Sequence, residues 1–428
     1  MRVAVIICCL GASVRAQPSL PREVLLLSQI KQKMRENLSR LPDYTCVETI
    51  ARTQRPNSLA PFRPVDSLRV EVLHAGEREF YTWPNSRKVE ESLGRLIGGG
   101  TTSSGEFALH ARAVFVGDAQ SKYVADEVIR ARRTLRYDYV IPSLSSGMTL
   151  TYAGRSGRVS SRGSFWADAE TLEVVRLEVN AEDIPADLPF ASAVSTVDYG
   201  RVLIRGVNML LPQSAEVTLS KTSGATDRNE IHFSQCRGFG ANSDIRFEEG
   251  ASRENGFNLL PEKTIQELDL PAGISLILRL DQAIDSKTAV EGDPLTAHIQ
   301  QAVRRDGRII VPTSALVRGR IRRLESYDKP RRYFIVGLEF SEIEFDDKHV
   351  GFTGSLDRVD PVPELTWFLG SSSARQIRDV AGVTNIVERE RIHTTELPGV
   401  GTFFVDGEHF RLPKDFHMIW RTVDSKKQ

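Results

Sequence analysis

The 428-residue chain has no excess of either charge, with 56 Lys+Arg against 56 Asp+Glu. A protein that grips nucleic acid or anionic lipid over its whole surface needs many unpaired cations to neutralise phosphates, so that class is excluded and only a local patch stays open. Basic runs such as Arg130-Ala131-Arg132-Arg133, Arg304-Arg305 and Arg322-Arg323 are diluted by acidic neighbours and read as surface charge. Histidine is scarce, at 8 residues. His74, His110, His232, His298, His349, His393, His409 and His417 form neither H-E-x-x-H nor a His-x-His pair, so no metal site has local ligand spacing. Each is expected on a surface or a strand face. A nucleophile elbow is missing, because Gly154-Arg155-Ser156-Gly157 and Gly163-Ser164-Phe165 lack the second half of G-x-S-x-G. The run from Gly98 to Gly105 lacks the Gly-Lys-Ser/Thr ending of a phosphate loop and reads as a mobile connection. The adjacent carboxylates Asp346-Asp347 and Glu248-Glu249 sit in hairpin and linker settings and read as solvated pairs. Beyond the first residues no apolar run approaches the ~20 positions a spanning helix needs.

The start of the chain is informative. Met1-Arg2 is a short positive segment, Val3 to Ala12 an apolar stretch, and Val14 and Ala16 occupy the −3 and −1 positions before Gln17. That is the pattern of a secretory signal peptide over residues 1–16, too short to anchor in a bilayer. Cys8 and Cys9 follow Ile7 and Cys8 rather than the small residue of a lipidation signal. Removal of Arg2 and Arg15 would leave 54 basic and 56 acidic residues, a formal charge of −2. It would also reduce the 4 cysteines to two, Cys46 and Cys236. In an oxidising compartment such an isolated pair is expected to form a disulfide, and the long loop it closes corresponds to about 5 kcal/mol of chain entropy. A redox-active pair lacks its C-x-x-C spacing. The expected address is the periplasm or the cell exterior.

From Arg22 to Leu41, residues Leu27, Ile30, Met34, Leu38 and Leu41 recur at three and four positions, which predicts an amphipathic helix stopped by Pro42 and packed on its own domain's sheet. From Tyr44 the period becomes two. Tyr44–Ile50, Leu68–Leu73, Arg78–Trp83, Leu135–Val140, Met148–Tyr152, Gly163–Ala167, Leu172–Val179, Tyr199–Val207, Ser214–Leu219 and Glu230–Arg237 read as strands, with a tight turn at Asp168-Ala169-Glu170-Thr171 and a short helix from Glu106 to Val116. About nine strands over one helix make a large, curved antiparallel sheet, a half-barrel, over residues 17–247. Residues 248–273 are polar, rich in Gly and Pro, and read as a linker that permits relative motion. Residues 274–424 read as a second, compact β-barrel or sandwich domain, with a helix or long loop near Ser373–Val383. The fold class is mainly β.

Several segments resemble known families. The run from Phe165 to Leu177, with Asp198-Tyr199-Gly200-Arg201-Val202 and Leu211-Pro212, resembles the periplasmic lipoprotein-carrier and lipoprotein-sorting superfamily over residues 22 to 247. Members of that superfamily fold an incomplete barrel over helices, so the resemblance implies a lipid or lipoprotein ligand. Leu41-Pro42-Asp43-Tyr44-Thr45-Cys46-Val47-Glu48-Thr49-Ile50 resembles the opening of uncharacterised secreted proteins of acidobacterial type. Ile284–Asp293, Ile309–Ala315 and Val317–Ile321 resemble the β-barrel of conjugation and type IV secretion channel proteins, with Thr313 where that pattern favours Gly and no membrane-crossing helix. Only a barrel fold is implied there.

These features point to an exported, non-enzymatic binding protein whose first domain holds a lipid, lipoprotein or other apolar ligand, without cofactor or metal. Phe80, Trp83, Tyr139, Phe165 and Leu177 are the candidate lining residues, each of which equally suits a filled core. The competing reading is an envelope interaction module with filled cores that docks a protein partner. A hydrolase with dispersed catalytic residues is the third.

Overall fold

The computed structural model describes residues 20–75, 78–86, 89–97, 100–146, 148–238, 270–305, 307–328, 332–346, 348–359, 365–369 and 397–423. The signal segment, most of the expected linker and the expected helix at 373–383 lie outside the described residues.

Helix α1 (Arg22–Ser39) buries Ile30, Met34 and Leu38, one turn apart, and stops before Pro42, which cannot continue the hydrogen-bond ladder. The strands of the first unit are β1 (Tyr44–Arg55), β2 (Arg63–Ala75), β3 (Arg78–Thr82) and β4 (Val89–Glu90). Two short helices come next, α2 (Leu93–Leu96) and α3 (Leu109–Phe115), then β5 (Gln120–Ile129), β6 (Arg132–Ile141) and the single turn α4 (Ser143–Ser146). The unit is completed by β7 (Thr149–Tyr152), β8 (Arg155–Arg158), β9 (Ser160–Asp168), β10 (Val174–Glu182), β11 (Phe190–Ile204), β12 (Val207–Lys221) and β13 (Thr226–Gly238).

Apart from the separate β7–β8 hairpin, these strands pair antiparallel in the order β4-β3-β2-β1-β13-β12-β11-β10-β9-β6-β5. The tight turn before β10 is as expected: Asp168 Oδ1 accepts the N–H groups of Glu170 and Thr171, each at 2.9 Å. The sheet is larger than its periodicity suggested, because β4 is very short and β5 alternates partly buried with exposed residues on an edge. Helices α1 and α3 pack on the sheet, where Ile30, Met34 and Phe115 share a core with Tyr137, Phe165 and Leu177. Cys46 and Cys236 form a disulfide across 190 residues of sequence, joining the neighbouring strands β1 and β13.

Strand β12 runs beyond its partner β13, with which it pairs only from Ser214 onward. Side chains close the free stretch. Asn37 Nδ2 donates to the Leu210 carbonyl at 2.8 Å, the Leu210 N–H returns a bond to Asn37 Oδ1 at 2.9 Å, and Arg201 Nη1 donates to the Asn208 carbonyl at 2.7 Å. Pro212 has no N–H to offer.

The second unit consists of β14 (Ser275–Leu280), β15 (Ile284–Asp285), β16 (Pro294–Ile299), β17 (Val303–Arg305), β18 (Arg308–Val311), β19 (Leu316–Tyr327) and β20 (Tyr333–Phe345). It continues with β21 (Lys348–Gly351), β22 (Gly354–Val359), β23 (Leu365–Leu369), β24 (Val400–Asp406), β25 (Arg411–Leu412) and β26 (His417–Thr422). Its main sheet follows the order β22-β26-β14-β16-β19-β20-β24-β23 around a core that includes Leu278, Val317, Phe340, Phe403 and Trp420. Among the described residues neither sheet closes into a barrel, so the expected second barrel is an open, strongly wrapped sheet. Leu270 packs into this core and Thr422 Oγ1 donates to the Pro271 carbonyl at 2.6 Å, so residues 270–273, expected as linker, belong to the second unit.

The two units touch. Glu325 of β19 pairs with Asp66 of β2, and Arg69 and Glu291 bond through their backbones at 2.6 Å. At the edge of the contact, within the first unit, Arg52 clasps Asp66 with bonds of 2.6 and 2.5 Å; across it, Arg69 pairs with Asp293, and the Arg322 guanidinium lies 5.3 Å from the Trp83 ring centre while donating to the Leu96 carbonyl at 3.1 Å. The relative motion expected of a polar linker is therefore opposed by a backbone ladder and a charged interface.

Candidate functional site

The interior of the first sheet holds an unusual set of polar groups. Tyr44 and Glu48 come from β1, Glu79 and Tyr81 from β3, and Ser195 and Tyr199 from β11, at even spacings that turn them to one face. Glu106 and His110 come from the loop before α3 and from α3 itself. Glu48, Glu79 and Glu106 are all buried, with exposures of 3%, 6% and 4%.

Glu79 anchors the cover. Its carboxylate accepts the backbone N–H groups of Gly105 (2.9 Å), Ala108 (2.8 Å) and Leu109 (3.1 Å) and the Tyr81 hydroxyl (3.0 Å). Burial and the Glu106 charge push the Glu79 carboxyl above the ordinary carboxylate range, and its three N–H donors pull the other way. Burial also pushes Glu106 up, but the bond and charge of His110, 3.6 Å away, outweigh it and hold Glu106 below the ordinary value. His110 is raised by the same pairing, against its own desolvation. Ser195 Oγ donates to Glu106 at 3.3 Å.

Glu48 has no such support. Burial, then Glu106 and Glu79, drive its carboxyl well above the usual range, and its Oε2 has no hydrogen-bond partner among the described residues. The hydroxyls of Tyr44 and Tyr199 are likewise unpartnered. The Glu79 charge acts on both, so both face the cluster. Buried polar atoms are nearly always bonded, so three such oxygens on one face stand out, and the buried His74, in register with both Tyr44 and Glu79, lies on that face as well.

His110 also lines a small hollow of about 10 Å³, room for roughly one water, with Ala113, Val114, Tyr139, Ile141, Met148, Ser161 and Val179. The hollow lies between α3 and strands β6, β9 and β10. A larger groove, about 210 Å³, opens on the surface between α1 and the β11–β12 hairpin and carries mixed charges, including Lys33, Glu36, Arg40 and Glu173.

The five residues expected to line a ligand site separate into three places. Tyr139, Phe165 and Leu177 share the core beneath α1 and α3, and only Tyr139 reaches the hollow. Trp83 belongs to the neighbouring core and abuts the second unit through Arg322. Phe80 sits with Leu73, Ala75 and Val89, apart from the core that holds its neighbour Tyr81.

Two expectations are corrected. His110, expected on a surface or strand face, is a helix residue whose side chain is 15% exposed and ion-paired. The glycine-rich connection, read as mobile, is tied down over residues 100–105: Thr101 Oγ1 donates to Asp227 at 2.5 Å, Asn229 Nδ2 to the Thr101 carbonyl at 3.0 Å, and Gly105 N–H to Glu79. Motif reading does not find the three glutamates, because they come from separate elements. One signal was present: Tyr44, Cys46, Glu48 and Ile50 form the inward file of β1, and a charge in such a file requires a reason.

Comparison with known proteins gives little. No protein-family model matches the chain. No curated protein matches it either. Among solved structures, a crystal structure described as an outer membrane lipoprotein-sorting protein domain from Vibrio parahaemolyticus aligns with a TM-score of 0.30 and 13% identity, covering 50% of this chain and 94% of that one. At that score the likeness carries no argument. Among the described residues no helix is long and apolar enough to cross a membrane, and the disulfide is compatible with export.

Proposed function

We propose that the chain is an exported binding protein without catalytic activity, and that its first domain takes an apolar ligand in the space between α3 and the sheet. One observation carries this reading: the hollow beside Tyr139, Ile141 and Val179 is roofed by a helix of only seven residues, held at its start by a single carboxylate, Glu79. At its other end Arg35 donates to the Phe115 carbonyl at 2.8 Å. Swinging this roof outward opens an aromatic and aliphatic surface at the cost of a few polar contacts and of the core packing of Ala111, Val114 and Phe115, which a bound apolar chain would replace.

The test is native mass spectrometry of the chain purified from periplasm without detergent, before and after organic extraction. A discrete extractable mass is expected. A bare polypeptide in both preparations overturns the reading and favours the second one, an envelope interaction module. That alternative is supported by Tyr137, Phe165 and Leu177, which are fully buried in the core beneath α1.

A further inference from the structure

Phe107 closes the polar interior of the first unit. Its ring centre lies 4.8 Å from that of Tyr44 and 5.3 Å from that of Phe233, which is the register partner of Glu48. The residue is 2% exposed and sits between the backbone groups that hold it down, since Glu79 accepts the N–H of Gly105 before it and those of Ala108 and Leu109 after it. One carboxylate on β3 thus latches the segment that seals Glu48 from water.

Inside this seal the charges do not balance. Glu48, Glu79 and Glu106 share the space with two imidazoles, His110 on α3 and His74 on β2, and with the hydroxyls of Tyr44, Tyr81, Ser195 and Tyr199. Arg52, the inward cation further along β1, is committed to Asp66. Strands β12 and β13 contribute apolar side chains such as Leu211, Val217 and Ile231. Even with both imidazoles charged, one of the three carboxylates is in excess. Glu106 has His110 and Glu79 has its N–H groups, so the excess falls on Glu48, whose Oε2 accepts no bond among the described residues. A buried carboxyl so placed keeps its proton and releases it once water reaches it.

Resting on the reading of α3 as the roof of a binding space, we propose that this roof is coupled to a proton: Glu48 is protonated while residues 105–110 are closed over it and ionised when they lift, so a rise in pH opens the first domain. Glu106 and His110 leave with the lifted segment, which removes one negative neighbour from Glu48. A group that holds its proton more tightly in the closed form draws the equilibrium towards that form as pH falls. Below 6.5 His110 is mostly charged in both forms, and above 4.5 Glu106 is mostly ionised in both. Between those values Glu48 sets the slope, with Glu79 acting in the same direction.

The experiment is hydrogen exchange of the full-length chain without ligand, followed by mass spectrometry on peptides covering residues 105–115 and, for comparison, strand β13. After the intrinsic rate at each pH is divided out, opening of residues 105–115 is expected to exceed that of β13 and to rise by up to about tenfold per pH unit between pH 5 and 6.5, as one released proton requires. Glu48→Gln, neutral in both forms, is expected to keep the roof closed and to remove the slope. Should that variant fail to fold, as judged by circular dichroism, infrared spectroscopy of Glu291→Gln carries the test, because it lacks the other strongly raised carboxyl: a protonated-carboxyl stretch at pH 6 supports the proposal and its absence overturns it. Opening that is flat with pH, that keeps its slope in Glu48→Gln, or that is no faster than β13 overturns the coupling and leaves the ligand reading to its own test. A slope present in a chain that carries no extractable mass overturns the ligand and leaves the coupling standing.

Discussion

Asn37 and Leu210 exchange two hydrogen bonds, 2.8 Å from the Asn37 amide to the Leu210 carbonyl and 2.9 Å from the Leu210 N–H back to Oδ1. A helix side chain thus takes the place of the missing neighbour strand of β12 and fastens α1 to the sheet. Asn37→Leu leaves both backbone groups without a partner in a part-buried setting, and the expected loss is about 2–3 kcal/mol. Urea unfolding checks this, as a lower midpoint with unchanged slope. Gln32→Ala on the exposed face of the same helix is expected to stay within about 0.5 kcal/mol.

Reduction of the Cys46–Cys236 bond frees a loop of 190 residues. The double variant Cys46→Ser with Cys236→Ser is expected to lose about 5 kcal/mol at most by the chain-entropy argument. Oxidised wild type and the variant, unfolded in parallel in denaturant, give the number directly.

Stability is expected to fall on the alkaline side. Glu291, buried at the contact between the two units, is pushed up to about 8 by burial and by the Asp66 carboxylate, against an ordinary value of 4.5. Between those values the folded chain keeps a proton that the unfolded chain has released, so this contribution is complete below 4.5 and is lost as pH rises towards 8, by up to about 1.4 kcal/mol per pH unit. Glu48 acts in the same sense, and so does His110, whose raised value makes its share complete below 6.5 and lost above. Glu106, held low, acts oppositely and loses its contribution as pH falls below 4.5. Melting temperatures between pH 5 and 9 should decline, and Glu291→Gln should flatten the curve up to pH 8. A wild-type curve that rises across this range contradicts the assignment.

Gly292 ties the two units together through shape. It adopts φ +98°, and a Cβ there would lie 2.0 Å from the Arg69 carbonyl oxygen and 2.8 Å from the Trp83 ring. Gly292→Ala is expected to push the units apart at a cost of about 2 kcal/mol or more, with a red shift of tryptophan emission and a split of the unfolding transition. A single, unshifted transition would mean that the contact contributes nothing to cooperativity.

Much of the architecture was legible because it depends on local periodicity. Leu27, Ile30, Met34 and Leu38 announced α1, and reading residues 1–16 as a signal peptide left two cysteines, which announced the bridge between β1 and β13. Alternation told Phe80 from Tyr81 as opposite faces of β3 but not which face meets the polar interior, since that depends on the strands that come to lie beside it. The carboxylate cluster was not legible for the same reason. Glu48, Glu79 and Glu106 are spread over 59 positions and meet only when β1 and β3 flank β2 and the loop before α3 folds back. Strand β5 escaped notice because its exposed file carries Val124 and Val128 while its partly buried file carries Ser121 and Glu127, so its regular alternation of burial is not an alternation of apolar with polar residues.

The position of the disulfide makes the first domain a covalent ring from residue 46 to residue 236. A protease that cuts any one loop within that span opens the ring without releasing a fragment, so a nicked molecule gains only the mass of one water and, while the sheet holds, keeps its shape. Helix α1 and the second unit hang from the ring as tails. Proteolytic damage would thus be silent at the first cut and visible only at the second.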